Sequence, residues 1–170
     1  MKQYMAESLL LLMEDRGYAE ITIDAITRKA GVNRSTYYRN FSSKEDVIQF
    51  FLTEVMQSFV ENCEDTEMNS LPSYLDSLFR HFYQYRAQLV LIYQNALFYL
   101  ALEVFNKTFE SRQPDRFHSK RERYDLYYHI GGIYNFFVLW LSRGMADPPG
   151  EVAEIAAAMF PPGAKPKLFS

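Results

Sequence analysis

Two helix-capping residues, Thr22 and Asn33, stand eleven positions apart with Gly31 just before the second, and this spacing leaves room for little but two short helices joined by a tight turn. Asp24 falls in the first turn after Thr22, where a carboxylate suits the positive end of a helix, and Ile23, Ile26 and Ala30 share a face. Gly31 ends that helix. After Val32, Asn33 opens a second one that runs through Arg34, Ser35, Thr36, Tyr37, Tyr38 and Arg39 to Phe41. Two short helices joined by a glycine-containing turn form a helix-turn-helix.

The spacing also sorts the side chains of the second helix. Tyr37 and Phe41 are four apart, so they lie on one face and are expected to pack on the first helix. Arg34, Ser35, Thr36, Tyr38, Arg39 and Asn40 are left outward or at the edges. These are the donors and acceptors that a recognition helix carries into a major groove, where Arg suits guanine and Asn suits adenine. Arg34, Ser35, Thr36 and Asn40 are therefore the candidates for base edges. Between Thr22 and Lys44 the basic residues Arg28, Lys29, Arg34, Arg39 and Lys44 face the single acid Asp24, a local charge of +4, whereas no Lys or Arg occurs from Glu45 to Phe79.

Thr22, Ile26, Ala30-Gly31-Val32, Thr36, Tyr38, Phe41 and Ser43-Lys44 together resemble the N-terminal domain of TetR-family transcriptional regulators. The resemblance covers roughly the first third of the chain. It implies that Thr22, Tyr38 and Lys44, with Arg39 beside them, contact phosphates and fix register without reading sequence. The chain departs from the family pattern at Thr27, Ser35, Tyr37 and Asn40. The first three are positions of packing or geometry, while Asn40 lies on the reading face. A weaker resemblance, carried by Asn33 to Tyr38 and by Trp140, Gly144-Met145 and Pro149, is to the subgroup related to regulators of dihydroxyacetone kinase operons.

The rest of the chain is expected to be helical. Met5, Leu9, Leu12 and Met13 recur at helical spacing, with Gly17 placed to close that helix, and Lys44 opens a long helix whose buried side includes Val47, Ile48, Phe51, Val55 and Phe59. Leu71, Leu75, Leu78, Phe79 and Phe82 form a core-facing stripe behind Pro72. An apolar run follows from Leu89 to Tyr93, then a helical stretch with Leu97, Leu100, Ala101, Val104 and Phe105, and a loop from Ser111 to Ser119. Leu126 to Leu141 carries no formal charge apart from His129, but its glycines, Asn135 and tyrosines suit a buried helix better than a membrane span. Val152, Ile155, Ala156 and Met159 form a last stripe. No segment alternates as a strand does.

The expected architecture is thus all-α: an N-terminal three-helix helix-turn-helix DNA-binding domain over residues 1–46, then a helical dimerisation and regulatory domain over residues 47–170. One small DNA-binding unit grips a single half-site weakly, and the uncharged helix needs cover. Both demands are met by a homodimer through Leu126–Leu141 and Glu151–Phe160, the two closing helices that resemble the dimerisation pair of the family. The operator is then an imperfect palindrome of double-stranded DNA whose half-sites lie about 34–36 Å apart. Tyr93, Phe98, Phe105, His129, Tyr134 and Phe137 are candidates to line an effector pocket, since family members often hold a small apolar or aromatic ligand; an aromatic stripe at helical spacing equally makes solid core, with control passing to a regulatory partner protein.

Other classes of function find little support. The net charge of −3 argues against coating nucleic acid by bulk charge, yet leaves room for one basic face on an acidic body. A single cysteine, Cys63, excludes an intramolecular disulfide, and with three scattered histidines it excludes the usual zinc clusters, so no metal or cofactor is expected. Acids surround Cys63, which raises rather than lowers a thiol pKa. His81, His118 and His129 sit in no catalytic motif, and there is no phosphate loop or dinucleotide fingerprint, so an enzyme is not expected. Glu7 interrupts the apolar N-terminus and no cleavage site follows, which points to a cytoplasmic protein without a signal peptide. A helical interaction or co-activator module responding to a partner protein is the alternative reading.

Overall fold

The computed structural model describes residues 1–64, 70–111 and 119–161, and every regular element among them is helical. The N-terminal unit comprises α1 (Lys2–Asp15), a single 3-10 turn (Tyr18–Glu20), α2 (Ile23–Lys29) and α3 (Arg34–Asn40). A long α4 (Lys44–Glu64) leaves this unit and enters a body made of α5 (Leu71–Tyr83), α6 (Arg86–Gln94), α7 (Leu100–Ser111), α8 (Lys120–Ser142) and α9 (Pro149–Ala158). The expected boundary between residues 46 and 47 thus falls inside one unbroken helix. The expected loop from Ser111 to Ser119 lies mostly outside the described residues.

The expected caps form. The Thr22 side chain accepts the Ala25 N–H and Asn33 accepts from Thr36; Ser70, not singled out by its sequence position, likewise accepts from Ser73. At the start of α4 the Ser43 hydroxyl accepts the Asp46 N–H at 3.1 Å, and the Asp46 carboxylate accepts the N–H groups of Ser42 and Ser43 at 2.7 and 3.0 Å. This reciprocal arrangement satisfies donors that a helix start otherwise leaves orphaned. Gly31 has φ +66, the left-handed backbone that turns α2 into α3 and that a side chain would strain. Gly17 is different: its φ is −60, and it leads into the 3-10 turn instead of closing α1 in the left-handed form expected.

One core runs through both units. Met5, Leu9 and Met13 of α1 meet Ile26, Tyr37 and Phe41 beneath the helix-turn-helix, and Val47, Ile48, Leu52, Val55 and Phe59 carry the apolar side of α4 into the body. Each large side chain withdrawn from water in this way contributes about 1.5–3 kcal/mol. In the body, α5 packs against α9, and α4 against α7. Phe79, Phe82, Phe105, Phe137 and Trp140 interlock by edge and tilted contacts, with Phe82 and Phe137 centroids 4.9 Å apart. The Trp140 ring stacks on Tyr83 at 5.6 Å, and its indole N–H donates to the Asp147 carbonyl at 2.9 Å.

The last stripe divides. Val152 and Ala156 are buried with Ala153, whereas Ile155 and Met159 face outward, Met159 with 69% of its surface exposed. The four share one stripe, but the buried face of α9 is rotated toward Ala153, so Ile155 and Met159 fall on the uncovered flank.

Candidate DNA-binding site

Tyr37 and Phe41 anchor α3 from behind, as their spacing requires. Both are buried, their rings lie 5.9 Å apart, and the Tyr37 hydroxyl donates to the Ser43 carbonyl at 2.8 Å. Burial, with the carboxylates of Asp46 and Glu45 nearby, pushes the Tyr37 phenol up to about 12. It is therefore a permanent donor at ordinary pH. Partial burial would raise the Asp46 carboxyl, but the hydrogen bonds from Ser42 and Ser43 prevail and hold it below the usual carboxylate range.

With that face fixed, Arg34, Ser35, Tyr38 and Arg39 project outward and are exposed. The Arg34 guanidinium hydrogen-bonds the Tyr38 side chain, which raises its already high pKa. Arg39 folds back along the helix, donating to the Ser35 carbonyl at 3.4 Å and to the Thr36 hydroxyl at 3.0 Å. The Ser35 hydroxyl donates to Asn33 Oδ1 at 2.7 Å, and Asn40, half-buried, donates to the Thr36 carbonyl. Thr22 is exposed at its cap position. No carboxylate among the described residues pairs with Arg34 or Arg39, whereas Arg28 is paired with Asp24 at 2.7 Å.

Two expected residues take other positions. Thr36 is only 6% exposed rather than outward, because it adjoins the inward Tyr37 and its short side chain is covered by Arg39. Lys44 turns its ammonium inward: Nζ donates to the carbonyls of Tyr18 at 2.7 Å and Ile21 at 2.8 Å and lies 4.3 Å above the Tyr18 ring. The Tyr18 carbonyl, which also accepts the Ile21 N–H at 3.2 Å, and the Ile21 carbonyl converge on the cation and draw it in. One basic residue was not singled out by its sequence position. Lys2, at the start of α1, lies over the rings of Phe41 and Phe50 at 5.8 and 5.7 Å, beside the C-terminal end of α3. With Asn40, Phe50, Thr53, Val104 and Lys107 it lines a cleft of about 330 Å3 at the seam between the N-terminal unit and the body.

The six aromatic candidates in the body fall into separate contacts. Phe105 and Phe137 belong to the interlocked core, Phe98 stacks on Tyr134 at 5.7 Å, and the His129 ring stacks on Phe160 at 4.6 Å while reaching Asp125 at 3.3 Å. Tyr93 is half-buried near Tyr134, whose phenol is raised by burial and by that neighbour. Burial lowers the pKa of His129. No group of three or more His, Cys, Asp and Glu among the described residues has the arrangement to hold a metal ion, and no described helix is long and apolar enough to cross a membrane.

An apolar face lies open on α8 and α9. Tyr124, Tyr128, Gly132, Asn135 and Leu139 follow one another at steps of three and four along the exposed side of α8, with Leu139 63% exposed, and Ile155 and Met159 continue the face on α9. Side-chain carbons built at Gly131 and Gly132 would meet nothing within 4 Å, so internal packing does not require glycine there.

This geometry agrees with comparisons to known proteins. Residues 10–49 match the model of bacterial regulatory proteins of the tetR family. The HTH-type transcriptional regulator EthR of Mycobacterium tuberculosis is 36% identical over 67 residues, covering 35% of this chain and 31% of that protein. The uncharacterized HTH-type transcriptional regulator YxbF of Bacillus subtilis is 35% identical over 63 residues, 37% of this chain and 16% of that protein. The chain thus spans less than a third of the length of these relatives in its match to them. Similarity of fold extends further: the dihydroxyacetone kinase operon activator DhaS superposes with a TM-score of 0.56 at 17% identity, over 93% of this chain and 92% of that one. The fatty acid degradation regulator FadR from Bacillus halodurans gives 0.60 at 18% identity, over 97% and 100%. Residues 10–49 thus carry the helix-turn-helix of the tetR family of bacterial regulatory proteins, and the all-helical chain as a whole shares its fold with DhaS and FadR.

Proposed function

We propose that the chain is a dimeric, cytoplasmic repressor that reads an imperfect palindrome with two copies of α3 and leaves it when an effector or partner engages the body. The observation that carries the DNA reading is the exposed face of α3, where Arg34, Ser35 and Tyr38 stand outward over the buried Tyr37 and Phe41, with no carboxylate among the described residues ion-paired to Arg34. In this reading Arg34, Ser35 and Asn40 reach base edges, and Thr22, Tyr38 and Arg39 take phosphates. Thr36 acts from beneath, by holding Arg39. Lys44 reaches a phosphate through the donor its ammonium has left after two carbonyls.

Dimerisation is supported by the open face of Tyr128, Leu139, Ile155 and Met159, with Gly131 and Gly132 allowing a second α8 to approach closely. Selection of binding sites from random duplexes by the purified chain tests the proposal. An enriched palindrome with half-sites about 34–36 Å apart is expected. Retention of no sequence over random DNA refutes it.

A second reading, control by a partner protein, draws support from the interlocking of Phe79, Phe82, Phe105 and Phe137, which fills the centre of the body with side chains. The structurally similar DhaS is named an activator, so the sign of regulation is tested with a reporter placed behind the selected site. Higher expression on loss of the protein supports repression; lower expression supports an activator.

A further inference from the structure

The turn between α1 and α2 is held from two sides by side chains distant in sequence. From the body, Asn95 Oδ1 accepts the Tyr18 N–H at 3.2 Å across 77 positions. The Asn95 amide also donates to the Leu91 carbonyl at 2.9 Å, so its oxygen is turned toward Tyr18. Asn95 caps α6, and the chain leaves that helix through Ala96 at φ +59, with Ala96 N–H on the Tyr93 carbonyl and Leu97 N–H on the Ile92 carbonyl. This is the Schellman ending, which ordinarily has glycine at the left-handed position. Ala96 there is a strained residue, and the end of α6 keeps its form because surrounding contacts hold it.

From the other side, Lys44 donates to the carbonyls of Tyr18 and Ile21 and lies over the Tyr18 ring. Ser43, the preceding residue, accepts the Tyr37 hydroxyl. Direct contacts therefore run from the end of α6 through Asn95, Tyr18, Lys44 and Ser43 to the ring that anchors α3. Burial and the neighbouring Glu45 carboxylate push the Tyr18 phenol well above its ordinary value, and the ring lies beneath the Lys44 cation.

We propose that Asn95 is a positioning residue through which the body sets the placement of α3: its hydrogen bond holds the Tyr18 turn, the turn holds Lys44, and Lys44 fixes the start of α4 against Tyr37. An event in the body that withdraws the end of α6 then loosens the DNA-binding unit without touching its outer face. This deepens the DNA-binding reading above and rests on it for its consequence, though not for its mechanics. Coupling of this kind is a free energy between two sites, and it is measured as one.

The test compares the full chain with Asn95→Ala, with Asn95→Asp, which keeps an acceptor for the Tyr18 N–H, with Lys44→Met, and with the double variant Asn95→Ala/Lys44→Met. The readouts are amide hydrogen exchange and affinity for a duplex selected by the wild type. In Asn95→Ala, exchange is expected to rise at residues 18–21 and 37–41 as well as near residue 95, and affinity to fall about three- to tenfold, the range that follows from losing one neutral hydrogen bond. Asn95→Asp should restore most of the protection at Tyr18. The double variant should lose less affinity than the product of the single losses, because both act on one turn. Faster exchange confined to residues 91–97, or an Asn95→Ala protein that exchanges normally over residues 18–21 and 37–41 and binds DNA as the wild type does, overturns the proposal. A wild type that selects no DNA, combined with exchange that spreads to residues 37–41, removes the DNA-binding reading and leaves the coupling standing.

Discussion

The Tyr37 hydroxyl donates to the Ser43 carbonyl at 2.8 Å, so a buried ring of the recognition helix ends on the residue just before α4. Because α4 continues into the body, this bond ties the angle of α3 to the helix that joins the two units. Tyr37→Phe keeps the ring and deletes the donor, and should cost about 1 kcal/mol, the usual net value of such a bond. Urea denaturation measures it. Base preference should not change, since the hydroxyl lies behind the reading face.

Arg34 and Tyr38 are hydrogen-bonded neighbours with different expected roles. Arg34→Ala should relax preference at one base position by roughly tenfold while other positions keep theirs. Tyr38→Ala should weaken binding to all sequences by a similar factor, because a phosphate contact carries no sequence information. Fluorescence anisotropy against a panel of single-base operator variants separates the two. Equal behaviour of both variants across the panel would mean that α3 is seated differently.

Val138 and Leu139 are adjacent on α8 but differ in surroundings: Val138 is half-buried against the core, and Leu139 is mostly exposed. Leu139→Asp is therefore expected to give a folded monomer in sedimentation at micromolar concentration. Val138→Asp is expected instead to lower the melting temperature, since a charge is pressed toward apolar side chains. A dimeric Leu139→Asp protein would place the interface elsewhere.

His81 is buried in α5, within 3.1 Å of the Ser58 hydroxyl and 3.0 Å of the Val55 carbonyl, with the rings of Phe59, Phe82 and Tyr85 around it. Burial lowers its pKa from the ordinary 6.5, and the Val55 carbonyl works in the opposite direction without prevailing. The unfolded chain therefore binds a proton that the folded chain resists. Its contribution to stability is whole above the ordinary value and is lost as pH falls from there through the folded-state value. Melting curves between about pH 7.5 and pH 5 should show the loss. His81→Gln should flatten the curve, although His129, also lowered by burial, leaves part of the slope.

Local signals in the sequence were the ones most faithfully realised. Thr22, Asn33 and Ser43 cap helices because a cap is decided within three or four residues, and the α5 stripe from Leu71 to Phe82 is buried because its period alone points it inward. Contacts across the chain were not legible. Nothing near Lys44 announces that carbonyls of Tyr18 and Ile21 will take its ammonium, and nothing near Asn95 announces Tyr18. Lys2 carries no local signal of its place either, because only the folded path of α1 brings it to Phe41. Thr36 and the pair Ile155 and Met159 show the limit of periodicity, which gives the faces of a helix but not which flank a neighbour covers.

The indole of Trp140, stacked on Tyr83 and bonded to the Asp147 carbonyl, is the only tryptophan in the chain. Ultraviolet excitation selective for indole therefore illuminates the packing of α5 against α8 and leaves the helix-turn-helix dark. Emission from this single fluorophore will follow melting of the body, while circular dichroism follows all the helices. Any gap between the two transitions reports directly on a DNA-binding unit that unfolds on its own.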